Sequence, residues 1–90
     1  MLNNGDPHRA IGALARLLEQ FPDFALAHND LGVLYYQTGD KEKAQHHYER
    51  AVEMMPENIN FQKNRADFYC FELGRIEEAL KIYVDILITH

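Results

Sequence analysis

The chain has 90 residues, 47% apolar and 26% charged, with a formal net charge of −5. That length allows one domain with a modest core, and that composition belongs to a folded chain rather than a disordered one. The acidic excess argues against nucleic acid and against an anionic membrane surface, since both need clustered Lys and Arg.

No apolar run approaches the ~18 residues that a membrane span requires. The start, Met1-Leu2-Asn3-Asn4-Gly5, has neither the basic stretch nor the apolar core of a secretory signal. Cys70 stands alone, so no internal disulfide forms, and a reduced, cytoplasmic setting is expected, with a periplasmic one, which also needs no cysteines, as the alternative.

Gly5, Gly39 and Gly74, with Pro22 and Pro56, punctuate the chain, and apolar residues recur between them at helical spacing. The pattern predicts five helices over 7–20, 24–37, 41–54, 59–72 and 76–88, and no strands. The first opens with Asp6 as N-cap and Pro7 at the first helical position, where a missing N–H is harmless. Pro22 ends it by pushing Phe21 out of the α region, and Asp23 is then the expected cap of the second helix. Gly39 closes the second helix in a left-handed conformation, and Asp40 caps the third. Pro56 ends that helix, leaving Asn58 or Asn60 to cap the fourth. Arg75 is a poor cap for the fifth, although Glu77 and Glu78 suit its positive end. Loops this short force successive helices to pack antiparallel.

The chain also repeats itself. Residues 1–22 set against 35–56 give six identities: Gly5/Gly39, Asp6/Asp40, Ala10/Ala44, Arg16/Arg50, Glu19/Glu53 and Pro22/Pro56. Unrelated segments of ordinary composition would share roughly one or two. A period of 34 marks a stacked array whose single units cannot bury their own apolar faces. Residues 25–58 carry Leu31-Gly32, Tyr35, Gly39-Asp40, Ala44, Tyr48, Ala51 and Pro56. In these positions the chain resembles the tetratricopeptide repeat, with His28 where a large aromatic is common. The resemblance implies an all-α superhelix of about two and a half helix-turn-helix repeats, a single array over 1–90 and a fragment of a longer one. Residues 1–24 would be the second half of one repeat, with Met1-Leu2 all that remains of its first helix. Residues 25–58 would be a full repeat and 59–90 a divergent one. In that last segment Arg65 takes the place of Leu31 and Ile86 that of Ala51. One extra residue lies between Tyr69 and Gly74, in the helix or in its turn.

No constellation reads as a catalytic, cofactor or metal site. His46 and His47 are adjacent and point about 100° apart on a helix, and His-x₃-His and Cys-x₂-Cys spacings are absent. His28 reads as a packed core residue. Cys70 lies mid-helix with no motif that would lower its pKa, and Gly39 and Gly74 are turn glycines rather than a phosphate loop.

Family members line a concave groove with the face of each first helix opposite its packed stripe. Here that face carries Leu26, Asn29, Val33, Tyr36 and Gln37, then Asn60, Lys63 and Asp67, with Cys70 and Phe71 following. The resemblance implies a protein-interaction scaffold, not an enzyme, that binds a peptide or helix of a partner along this face. Packing against adjacent helices is the competing role for Val33, Tyr36 and Phe71. Some members grip a C-terminal carboxylate with Lys and Asn; Val33 and Asp67 stand against that here, Asp67 by repulsion. Two alternatives remain: an accessory segment of a larger enzyme such as a glycosyltransferase or methyltransferase, or a self-assembly module. The apolar residues of the first and last helices favour a homodimer through the end faces.

Overall fold

The computed structural model describes residues 6–89, and Gly5 and the Met1-Leu2 remnant lie outside them. The described residues form five helices: α1 (Pro7–Gln20), α2 (Ala25–Thr38), α3 (Lys41–Met54), α4 (Ile59–Phe71) and α5 (Ile76–Thr89). Helix α2 pairs with α1 and most extensively with α3, which in turn meets α4, and α4 pairs with α5. The boundaries expected from the sequence shift by one residue in α2, α4 and α5.

Most end signals act as expected. The Asp6 carboxylate accepts from the His8 and Arg9 amides at 3.1 and 3.3 Å, with Pro7 following. Asp40 accepts from the Lys43 amide at 3.1 Å, and Asn58, not Asn60, accepts from the Phe61 amide at 2.9 Å. The cap of α2 is a correction. Phe24 holds that position with no side-chain bond, and Asp23 plays no part. The Pro22-Asp23 turn satisfies the helix start through backbone alone, with the Phe24 carbonyl accepting from the Ala27 amide at 3.1 Å.

The backbone bonds that close the two turns inside helix pairs differ by one residue in span. Gly39, with φ at 88°, closes α2, and the Asp40 amide donates to the Tyr35 carbonyl at 2.9 Å. In the second turn Gly74 has φ at 68°, and the Arg75 amide reaches back to the Tyr69 carbonyl at 2.8 Å, one residue further. The extra residue therefore widens the turn and does not lengthen α4, which ends at Phe71. Leu73 fills the added space and packs on the core.

Small residues set how closely the helices approach. Ala44, Ala51, Ala66 and Ala79 are fully buried. The ring of Tyr48 lies so close to Gly32 that a Cβ there would stand 2.8 Å from its Cδ1. Ala44, Tyr48, Ala66, Phe68, Tyr69 and Ala79 make one core cluster, and Ala25, Ala51, Val52 and Phe61 a second. In the place that Leu31 holds one repeat earlier, Arg65 lays its guanidinium over the Tyr69 ring, 5.7 Å from the centroid.

His28 is buried in the seam between α2 and α3, as its packed position predicts. Its Nε2 lies 3.2 Å from the Pro22 carbonyl and its Nδ1 lies 3.0 Å from Nδ1 of His47. A carbonyl only accepts, so Nε2 of His28 carries the proton and its Nδ1 accepts from His47. The His28, Tyr35 and His46 rings all meet His47, the first two stacked and the last edge-on. Burial, then the neighbouring His28, His46 and Lys43, pushes His47 down to about 4, and burial lowers His28 too. Among the described residues, no three His, Cys, Asp or Glu side chains converge as metal ligands would.

Candidate functional site

Helices α1, α3 and α5 are apolar on one side, whereas α2 and α4 spread apolar residues around their axes. A helix of the second kind has cover on more than one side. For α2 and α4 the extra cover is each other. Asn64 Nδ2 donates to Asn29 Oδ1 at 3.1 Å, and the edge of Tyr36 meets Phe68 at 6.1 Å between centroids.

This pairing divides the stripe expected to be exposed. Asn29 is 7% exposed and engaged by Asn64, so it ties the two helices together and does not offer a free amide. Val33 is half-buried against the core. Leu26, Tyr36 and Gln37 are exposed, Tyr36 by 43%. On α4, Asn60 and Lys63 are exposed, Asp67 is half-buried and Cys70 packs on the core. Phe71 is 75% exposed, the barest aromatic ring among the described residues.

Between these walls lies a cleft of about 210 Å³. Tyr36, Phe68 and Phe71 give it aromatic walls, and Tyr48 also contributes. Asn64, Asp67 and Glu72 supply its polar groups. The Tyr36 hydroxyl donates to Glu72 Oε2 at 2.7 Å, and Lys41 Nζ lies 3.3 Å from the other carboxylate oxygen. Those two bonds hold the Glu72 carboxyl below its ordinary range, the Tyr36 hydroxyl first, and Glu72 in turn raises the Tyr36 phenol. Asp67 accepts from Lys63 Nζ at 2.9 Å and from the Tyr83 hydroxyl. That bond and burial push the Tyr83 phenol up to about 12. The cleft thus joins side chains of α2, α3 and α4, fixed by a hydroxyl from α5.

Asn64, Phe68, Glu72 and Tyr83 were not singled out from the sequence. Asn64 stands 35 residues after Asn29, near the repeat period, and Glu72 borders the extra residue; those were the available signals. A larger depression of about 640 Å³ lies at the α1–α2 turn, among Leu17, Phe21 and Phe24. It lacks the convergent polar groups from several helices that orient a ligand. No helix among the described residues is long and apolar enough to cross a membrane.

The family model for the tetratricopeptide repeat matches residues 2–53 and again 34–88. A segment of 59 residues is 42% identical to Stress-induced-phosphoprotein 1 of Caenorhabditis elegans, covering 66% of this chain and 18% of that protein. The chain therefore spans about a fifth of that relative. Two overlapping matches cover nearly the whole sequence, on five helices packed in chain order. The chain belongs to the tetratricopeptide-repeat family.

Proposed function

We propose that this chain is a protein-interaction scaffold that receives a peptide or helix of a partner protein along the α2–α4 face. Tetratricopeptide repeats generally mediate such contacts. The observation that carries the reading is the pairing of bare aromatic rings with anchored polar groups: Tyr36 and Phe71 stand exposed beside Asn64, Asp67 and Glu72. Aromatic side chains on a rigid wall, with polar groups held in place, are what interface hot spots are made of. The acidic balance favours protein over nucleic acid as the partner.

Because Asn29 is buried, the informative variant is Tyr36→Ala with Phe71→Ala. It should weaken a bound peptide selected from a phage-displayed random library by ~2–4 kcal/mol, with a smaller loss of stability, since Tyr36 also meets Phe68 and bonds Glu72. Lost stability with unaltered binding would contradict the reading.

A second reading rests on α5. Ile76, Leu80, Val84, Leu87 and Ile88 form one exposed aliphatic stripe along its length. Each such side chain gains ~1.5–3 kcal/mol on full burial, so this face favours self-association. Sedimentation at tens of micromolar should show a dimer that Leu80→Lys abolishes. A monomer at every concentration would remove this reading and leave the first intact.

A further inference from the structure

We propose that the α2–α4 cleft takes a cationic side chain of the partner, an arginine best of all, seated between Asp67 and Glu72 and against the rings of Tyr36 and Phe71. The proposal rests on the scaffold reading above and adds the chemistry of what is bound.

Size comes first. About 210 Å³ is below the roughly 300–1,000 Å³ of small-molecule sites, and suits one side chain of a longer segment. Charge is the second argument. The described lining residues include two carboxylates and no Lys, Arg or His. The chain as a whole is acidic, which draws basic segments toward it.

Both carboxylates are held by phenols of other helices. Tyr36 of α2 donates to Glu72, and Tyr83 of α5 donates to Asp67. A phenol fixes a carboxylate without neutralising it, so the negative charge stays in place and available. The two lysines now paired with these groups are weak competitors. Lys41 and Lys63 are more than half exposed, on flexible stems, in surface ion pairs of the kind that contribute little. An incoming cation displaces them into water at small cost.

The rings complete the fit. An arginine stem lies along apolar surface while its guanidinium stacks on an aromatic face and its fork bonds a carboxylate through two N–H groups. The Phe71 ring is bare enough to receive it, and Tyr36 is fixed by its own hydroxyl. A lysine has the charge but not the plane or the fork, so arginine binds better. An acidic segment would face both carboxylates directly.

The test is selection of random peptides displayed on phage by the whole chain, followed by fluorescence anisotropy on the enriched peptides. Each is compared with versions carrying citrulline or glutamate at the arginine position. Citrulline keeps the shape and removes the charge. The expected result is enrichment of arginine, about tenfold weaker binding on citrulline substitution, and weaker still with glutamate. Asp67→Asn with Glu72→Gln should abolish the difference between arginine and citrulline, while Tyr36→Ala with Phe71→Ala weakens all of them. Both amides still accept from the tyrosine hydroxyls, and circular dichroism checks the fold. If that double variant unfolds, the citrulline comparison on the unaltered chain and on Glu72→Gln alone decides. Peptides that depend on Tyr36 and Phe71 but are acidic, or are indifferent to citrulline, overturn this inference and leave the scaffold reading standing. Failure to select any peptide sensitive to the Tyr36 and Phe71 changes overturns both.

Discussion

Helices α3 and α5 occupy matching places in the repeat, yet among the described residues one lies between two helices and the other against one. On α3, Ala44, Tyr48, Ala51 and Val52 are all buried, because α2 covers one side and α4 the other. On α5 the counterparts are Ala79, Tyr83, Ile86 and Leu87, and only Ala79 is buried. Val52 is 7% exposed and Leu87 is 79% exposed, although both are aliphatic and 35 residues apart. Burial in a stack is conferred by the neighbour, not by the residue type. Polar placement follows the same logic. Glu49 of α3 accepts from the Tyr69 hydroxyl of α4 at 2.5 Å, whereas the matching Val84 of α5 meets no such partner and is exposed.

The difference is sharpest in large-to-small changes. Tyr48→Ala should cost ~3–5 kcal/mol, since a buried ring that fits against Gly32 and Phe68 leaves a cavity. Tyr83→Ala should cost markedly less in parallel urea denaturation, because its ring is only half-buried. Equal losses would break the comparison.

Next in size is Gly32→Ala. The new methyl gains ~1 kcal/mol of helix propensity but meets a buried ring at 2.8 Å. Overpacking costs ~1–3 kcal/mol, so thermal melting should fall. A stabilised protein would mean that the Tyr48 ring moves freely.

The pH dependence tests the α2–α3 seam. The folded state holds His47 down to about 4, against an ordinary 6.5, so the unfolded chain binds more protons below 6.5. Stability should be full above that pH and fall as acid carries the protein from 6.5 toward 4. With the ring half open to water, the loss is reduced to ~1–2 kcal/mol. Carboxylates such as Glu72, whose folded pKa is lowered from 4.5, lose their contribution further down. Burial raises the Asp30 carboxyl, which acts in the opposite sense as pH falls, so the comparison with His47→Gln between pH 7 and 5 isolates the histidine, and that variant should flatten the profile. An unchanged slope in that variant would contradict the seam.

Leu87→Ala is the smallest expected effect. A side chain so exposed should change stability by less than ~0.5 kcal/mol at concentrations too low for association.

Much of the fold was legible because the signals were local. Asp6-Pro7, Gly39-Asp40 and Asn58 act within one turn of chain, and Ala44 and Ala51 follow a period that needs no knowledge of neighbours. The site was legible only in part. Asn29 sits on the stripe opposite Leu31 and Tyr35, but α2 has neighbours on both sides, so that stripe is half wall and half contact. Its partner Asn64 is 35 residues away, beyond the reach of a single helix's periodicity. Asp23 failed as a cap because the Pro22 turn closes on backbone. Glu72 caps α4 where the widened turn begins, and no spacing rule says where such a residue will point. Tyr83 fixes Asp67 from the next helix, a contact that requires the packed structure.

The central claim is that a partner peptide docks on the α2–α4 face and not on α5. Amide chemical-shift mapping with a display-selected peptide tests it most directly. The account predicts that the perturbed amides cluster at Tyr36, Gln37, Lys63, Asp67, Phe71 and Glu72, with α5 beyond Tyr83 unaffected. Perturbations gathered along Leu80, Val84, Leu87 and Ile88, with α2 and α4 silent, would contradict it.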